Sequence, residues 1–245
     1  MKWSTLPVAA GLLILNLSAL DLSGQQTIIH DPNAELRSIT GFHAIDVSDA
    51  IDLYLSQGEK ETVVVSASDA KWRNRIHTEV REGILNISLA LPHKRALEGA
   101  NHKLKVYISF TALDKLVASG ESDVYVDGVI SGKTLSISLS GSSDFKGAVH
   151  IDELRLDQSG ASDAVITGNV TGMTSINAGG ASNLRAYDLA TGSCDARASG
   201  ASEIRITINK ELTAHASGAS RVYYHGPAII REMHSSGASS ISKKG

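Results

Sequence analysis

Three aspartates recur at one place in a repeated motif. Asp123, Asp144 and Asp163 each stand three residues after a glycine, in Ser119-Gly120-Glu121-Ser122-Asp123, Ser140-Gly141-Ser142-Ser143-Asp144 and Ser159-Gly160-Ala161-Ser162-Asp163. If successive copies stack, the carboxylates form one column, with neighbouring backbones ~5 Å apart. Three carboxylates on one edge could hold Ca²⁺ through oxygen ligands. The competing reading is turn chemistry: Asp and Asn favour corners, and solvent screens their repulsion. The turn reading is preferred. A glycosidase pair would need two carboxylates in unlike surroundings facing a cleft, and identical stacked positions give neither.

Other reactive residue types lack the spacing that chemistry demands. The nine histidines show no ligand spacing, and Cys194, the only cysteine, cannot supply a second thiolate to a zinc site. Cys194 falls on an inward position of an alternating run, where a thiol acts as a small hydrophobe. Gly-x-Ser-x-Gly and phosphate-loop patterns are absent, and the many serines have no partner His and Asp at a defined remove. No catalytic residue is therefore expected, and no cofactor other than Ca²⁺ at the aspartate column. Alternation turns Tyr125, Tyr187 and Tyr223 outward and Tyr224 inward, so the first three are candidate contacts for a sugar or a protein.

These residues are placed by the repeat. The motif continues at Gly180, Gly200, Gly218 and Gly237, and the seven glycines are spaced 21, 19, 20, 20, 18 and 19 residues apart. Its flanks alternate with the period of a half-buried strand: Leu135, Ile137 and Leu139 precede one corner, and Val124, Phe145, Ala164, Leu184, Ile204, Val222 and Ile241 follow successive ones. A flexible Gly/Ser linker would have no use for that alternation. The simplest object with these properties is all-β: a right-handed parallel β-helix of about 20-residue coils, each holding two or three short strands. Gly120, Gly141, Gly160, Gly180, Gly200, Gly218 and Gly237 would be its corners, where a positive φ costs glycine little and small neighbours let corners stack.

Composition agrees. Hydrophobic residues make up 42% of the chain but aromatic ones only 4%, which suits thin stacked layers of Val, Ile, Leu and Ala better than one deep core. The repeat array is expected over 111–245. A β-rich N-terminal cap region is expected over 38–110, with strands near 42–47, 51–55, 62–66, 76–80, 84–89 and 103–110 and a short helix capped by Asp69. Such a cap would cover the open first coil.

Residues 1–24 read as a signal peptide: Lys2, an apolar stretch from Leu6 to Leu20, then small residues before Gln25. Residues 25–37 read as a linker. Removing Lys2 and Asp21 with the signal leaves the formal charge of −3 unchanged. No basic stripe remains to suggest nucleic acid, and no later segment is long and apolar enough for a membrane-spanning helix. The protein is expected to be exported, to the periplasm, the outer-membrane surface or the medium.

An export signal, a first strand at Gly41-Phe42-His43-Ala44-Ile45-Asp46-Val47 and repeated Ser-Gly-Ala-Ser corners together resemble the bacterial auto-transporter adhesin, head GIN domain family, common in Bacteroidetes. The resemblance covers about residues 38–240. It implies a right-handed β-helix with a β-rich N-terminal part and a role in adhesion at the cell envelope. An auto-transporter carries its own C-terminal membrane barrel, and nothing follows the last coil here, so another factor is expected to deliver the protein to the surface. The leading expectation is a non-catalytic, envelope-associated protein whose flat β-faces bind a glycan or a surface protein. The alternatives are a β-helical carbohydrate-active enzyme and a periplasmic scaffold.

Overall fold

The computed structural model describes residues 31–90 and 102–245. The signal peptide and the start of the linker expected from the sequence lie outside them. Among the described residues nearly all regular structure is β, with one four-residue helix, α1 (Ala70–Arg73).

The repeat array folds as a parallel stack. Strands β9 (Val124–Leu139), β10 (Phe145–Gln158), β11 (Asp163–Ala178), β12 (Asn183–Ala198) and β13 (Glu203–Ala216) pair in parallel, each with the next. Above β13 lie β14 (Arg221–His225) and β15 (Ile229–Ser235), and β16 (Ser240–Lys243) follows on β14. Where two or three short strands per coil were expected, one strand of 14 or 16 residues runs from corner to corner in the central coils. The softer bends are taken up by register shifts, such as the one between Ile151 and Leu154, so the ladder survives them.

The sharp corners stack through their backbones. All seven corner glycines have φ between +72° and +77°. Each corner hydrogen-bonds to the one beneath: Ala161 N donates to Gly141 O at 2.8 Å, Ala181 N to Gly160 O at 2.8 Å and Ala201 N to Gly180 O at 2.7 Å. The last serine of the motif is buried inside the bend, as at Ser202 and Ser220. Ser220 Oγ lies 2.8 Å from Ser217 O in its own corner and 3.1 Å from Ala198 O in the rung below, so one hydroxyl ties two rungs.

The segment ahead of the repeat joins the same stack out of chain order. β2 (Ala44–Val47) lies between β6 (Ile84–Leu89) and β8 (Lys115–Ala118), parallel to both. β3 (Asp52–Gln57) lies likewise between β7 (Lys105–Phe110) and β9. Parallel hydrogen bonding therefore runs unbroken across the 110/111 boundary expected from the start of the repeat. One inward column reads Val106, Leu53, Val124, Phe145, Ala164, Leu184, Ile204, Val222 and Ile241. The ring of Phe145 is accommodated beside Ala164, the smallest member of that column.

Antiparallel strands close the N-terminal end. β4 (Thr62–Ser66) pairs with β7, and β1 (Glu35–Arg37) with β4. β5 (Ile76–Arg81) forms a hairpin with β6 through Glu82-Gly83, whose φ of +52° and +76° are those of a type I′ turn. Asp69 caps α1 by accepting from Trp72 N at 3.0 Å. On the outermost strand Glu35 pairs with Arg37 and Arg73 at 2.9 and 3.0 Å, charge that discourages further pairing at that edge.

Three glycines separate conformational strain from crowding. A methyl on Gly200, at φ +72°, would lie 2.5 Å from Gly180 O; on Gly41, at φ +84°, it would meet nothing within 4 Å; Gly132 has an ordinary φ and equally open surroundings. Gly200→Ala is expected to cost about 2–4 kcal/mol, Gly41→Ala about 1 kcal/mol and Gly132→Ala close to nothing, as read by urea unfolding.

Candidate functional site

Stacking converts chain positions into columns, and two outward columns carry most of the functional groups on one face. The first contains Asp52, Asp123, Asp144, Asp163, Asn183 and Glu203 on successive rungs, with Lys105 beyond Asp52 and Arg221 beyond Glu203. The second, two residues further along each strand, contains Tyr107, Tyr54, Tyr125, Lys146, Val165, Arg185, Arg205 and Tyr223.

The aspartates are occupied with backbone. The main-chain N–H of Asp123 favours the charged form of Asp52, and that of Asp144 the charged form of Asp123, against the rise that burial gives each. Asp144 Oδ1 in turn accepts from Asp163 N at 3.1 Å. Higher in the stack a backbone carbonyl does this job, as where Asn183 N donates to Ser162 O at 3.1 Å. Asp123 also accepts from the Tyr125 hydroxyl at 3.2 Å, and Asp163 meets Arg185 at 3.5 Å. Asp123, Asp144 and Asp163 thus lie in one column, each turned to its own partners. Among the described residues no three His, Cys, Asp or Glu gather as a metal site. Burial raises the carboxyls of Asp52 and Asp123, and for each a neighbouring aspartate adds to the rise.

Three tyrosine rings form a continuous aromatic surface. Tyr54 stacks on Tyr107 with centroids 5.0 Å apart and on Tyr125 at 5.4 Å, with interplanar angles of 25° and 23°. The rung spacing sets this separation, which lies within the favourable range for offset rings. Burial and then the Asp123 carboxylate push the Tyr125 phenol up to about 12.

Tyr125 is therefore joined by two partners that sequence reasoning missed. The signal was present: Lys105-Val106-Tyr107-Ile108, Asp52-Leu53-Tyr54-Leu55 and Asp123-Val124-Tyr125-Val126 share a charged residue, an inward aliphatic, a tyrosine and a second aliphatic. Without a corner glycine in the first two, the match is hard to see. The other two candidate tyrosines lie apart from this cluster. Tyr223 is in the Tyr125 column but four residues intervene, and Lys244 sits over its ring at 4.5 Å. Tyr187 stacks flat on His225, with centroids at 4.1 Å.

Cys194 is buried, 2% exposed, and its thiol is pushed up strongly by burial and then by Asp195, so it is packing rather than a nucleophile. Among the described residues no helix is long and apolar enough to cross a membrane.

Stacked parallel rungs with one sharp corner per turn define the chain as a β-solenoid. It belongs to the family described as "Putative auto-transporter adhesin, head GIN domain", which matches residues 41–228. The fold is shared with a putative adhesin from Bacteroides fragilis NCTC 9343 at TM-score 0.75 and 19% identity, over 86% of this chain and 96% of that one. A putative adhesin from Parabacteroides distasonis ATCC 8503 is similar at TM-score 0.65 and 19% identity, over 86% and 96% of the two chains. A putative lipid binding protein from the same organism matches at TM-score 0.65 and 20% identity, over 88% and 98%. No curated protein matches the chain.

Two measurements check the columns. The raised Tyr125 phenol favours the neutral form in the folded state, so its stabilising contribution is complete below pH ~10 and lost as pH rises through about 12. Absorbance titration of tyrosinate should therefore show a last ionisation near pH 12 that Tyr125→Phe removes. Asp144→Ala, which strands the Asp163 amide, should cost about 0.5–1.5 kcal/mol in urea unfolding, while Asp144→Asn keeps an acceptor and costs less.

Proposed function

We propose that the protein is an exported, non-catalytic envelope or surface protein of adhesin type that binds a glycan or a protein through its β-helix faces. The observation that carries this reading is the stacked Tyr107–Tyr54–Tyr125 surface beside a column of carboxylates. Flat rings present apolar area to the C–H faces of sugars or to aliphatic side chains, and neighbouring acceptors take hydroxyl or amide donors. The rings lock one another in place, so little conformational freedom remains to be lost on binding.

Family membership supports adhesion. A non-catalytic role is supported by the partners of the acid column: Asp144 accepts the Asp163 amide, Asp123 accepts the Tyr125 hydroxyl and Asp163 meets Arg185, instead of standing as an acid and a base around a cleft. Export is supported by the charged start, apolar stretch and small residues of the first 24 positions.

The test is a glycan and host-protein array probed with purified residues 25–245, with and without EDTA. Binding is expected to survive EDTA and to weaken about three- to tenfold for each of Tyr54→Ala and Tyr107→Ala. Ligands bound equally well by a Tyr54→Ala/Tyr107→Ala/Tyr125→Ala variant of unchanged thermal stability would remove this face from the function. Polysaccharide turnover would replace the reading with an enzymatic one.

A further inference from the structure

A second outward surface, formed by the strand segments leading into the corners, carries a groove of about 350 Å³. One wall is the column Asn177, Arg197, His215 and His234, paired in register on four successive rungs. The other is formed at the corners, where Ser199, Ser217 and Ser236 line it. Its floor between the walls includes Ala178, Ala198 and Ala216, whose small side chains point into the core.

The lining has a one-sided charge. In a chain with 26 acidic and 23 basic residues, it holds one arginine and two histidines and no carboxylate. Three acids pair with this wall: Asp157, in the same column one rung before Asn177, accepts from Asn177 Nδ2 at 2.7 Å, Asp195 meets Arg197 at 3.0 Å and Glu232 meets His215 at 3.8 Å. None of the three lines the groove, and Asp195 and Glu232 belong to the next outward column. The Arg197 side chain is 61% exposed, so donors remain for an incoming group. Gln158, which also borders the groove, pairs in register with Ala178 and like it turns into the core, 4% exposed, so its amide takes no part in the outward lining.

We propose that this groove binds an extended acidic polysaccharide lying along the solenoid axis. Rungs repeat every ~4.8 Å, close to the advance of one pyranose along an extended chain. Arg197, His215 and His234 are therefore spaced to meet carboxylate or sulfate groups on neighbouring sugars, with the corner serines bonding sugar hydroxyls. The proposal rests on the adhesin-type reading but uses a surface distinct from the tyrosine ladder.

Affinity electrophoresis of the purified protein through gels containing polygalacturonate, chondroitin sulfate or neutral dextran tests it. The first two arms distinguish carboxylate from sulfate. Retardation is expected in at least one acidic gel and not in dextran. Arg197→Gln and the pair His215→Gln/His234→Gln should each weaken it about tenfold. Arg155→Gln, which removes the same charge from outside the lining, should stay within about twofold of wild type. Circular dichroism and a thermal melt confirm that each variant is folded, and Arg197→Lys should recover part of the loss. No retardation by either acidic polymer, equal retardation by dextran, or equal losses for Arg155→Gln and Arg197→Gln would overturn the proposal. Acidic-polymer binding lost with Tyr54→Ala/Tyr107→Ala but kept in the groove variants would also overturn it, leaving the tyrosine face as the binding surface.

Discussion

The fold depends on the close approach of one corner backbone to the next. At each sharp turn a main-chain N–H donates to the carbonyl of the glycine one rung below, at 2.7–2.8 Å from Ser142 to Ala238. Two requirements meet at the glycine. Its φ lies in the left-handed region, and the carbonyl beneath occupies the place a side chain would fill. Corners built this way continue the hydrogen-bond ladder around the bend instead of interrupting it, so every rung is held in the same azimuth. At Ser202, Ser220 and Ser239 the serine that closes the corner adds a further tie, its hydroxyl donating to a carbonyl of the rung below.

Fixed azimuth is what turns a periodic sequence into functional surfaces. Tyr54, Tyr107 and Tyr125 come from three separate stretches, yet their rings stack because the rungs carrying them pair in register. The same rule assembles Arg197, His215 and His234 on another surface. Along the tyrosine column the chemistry changes from aromatic at the capped end to basic at Arg185 and Arg205. Those arginines are partly neutralised by Asp163 and Glu203 in the acidic column. The protein thus presents graded stripes, each one residue wide and several rungs long.

The repeat array was legible because its signal is redundant: seven glycines near one period, with alternating aliphatic residues between them. The rungs at 44–57, 84–89 and 105–110 were harder to recognise. Their corner at Ser48-Asp49-Ala50 has no glycine, although Asp49 and Ala50 adopt φ of +68° and +58° and lie beneath Gly120. Aspartate tolerates that region better than most residues, and here its carboxylate also accepts from Leu89 N at 3.0 Å in the outer rung. The chain then visits the outermost rung before returning to the stack, an order that no local pattern encodes. The orientation of Tyr125 could be read from alternation, but its stacking partners follow from that crossover. The aspartate column could be drawn from spacing alone. Its employment as backbone acceptors could not, because that depends on which carbonyls the early corners leave out of reach.

The central claim is that the corners are hydrogen-bonded layers rather than exposed turns. Amide hydrogen exchange resolved to single residues tests it most directly. Amides of Ala161, Ala181, Ala201 and Ala219, all in Gly/Ser-rich turns, should be protected to the same degree as strand amides in the core of the array. Exchange of these four at the rate of an unstructured loop, with the flanking strands still protected, would contradict the account.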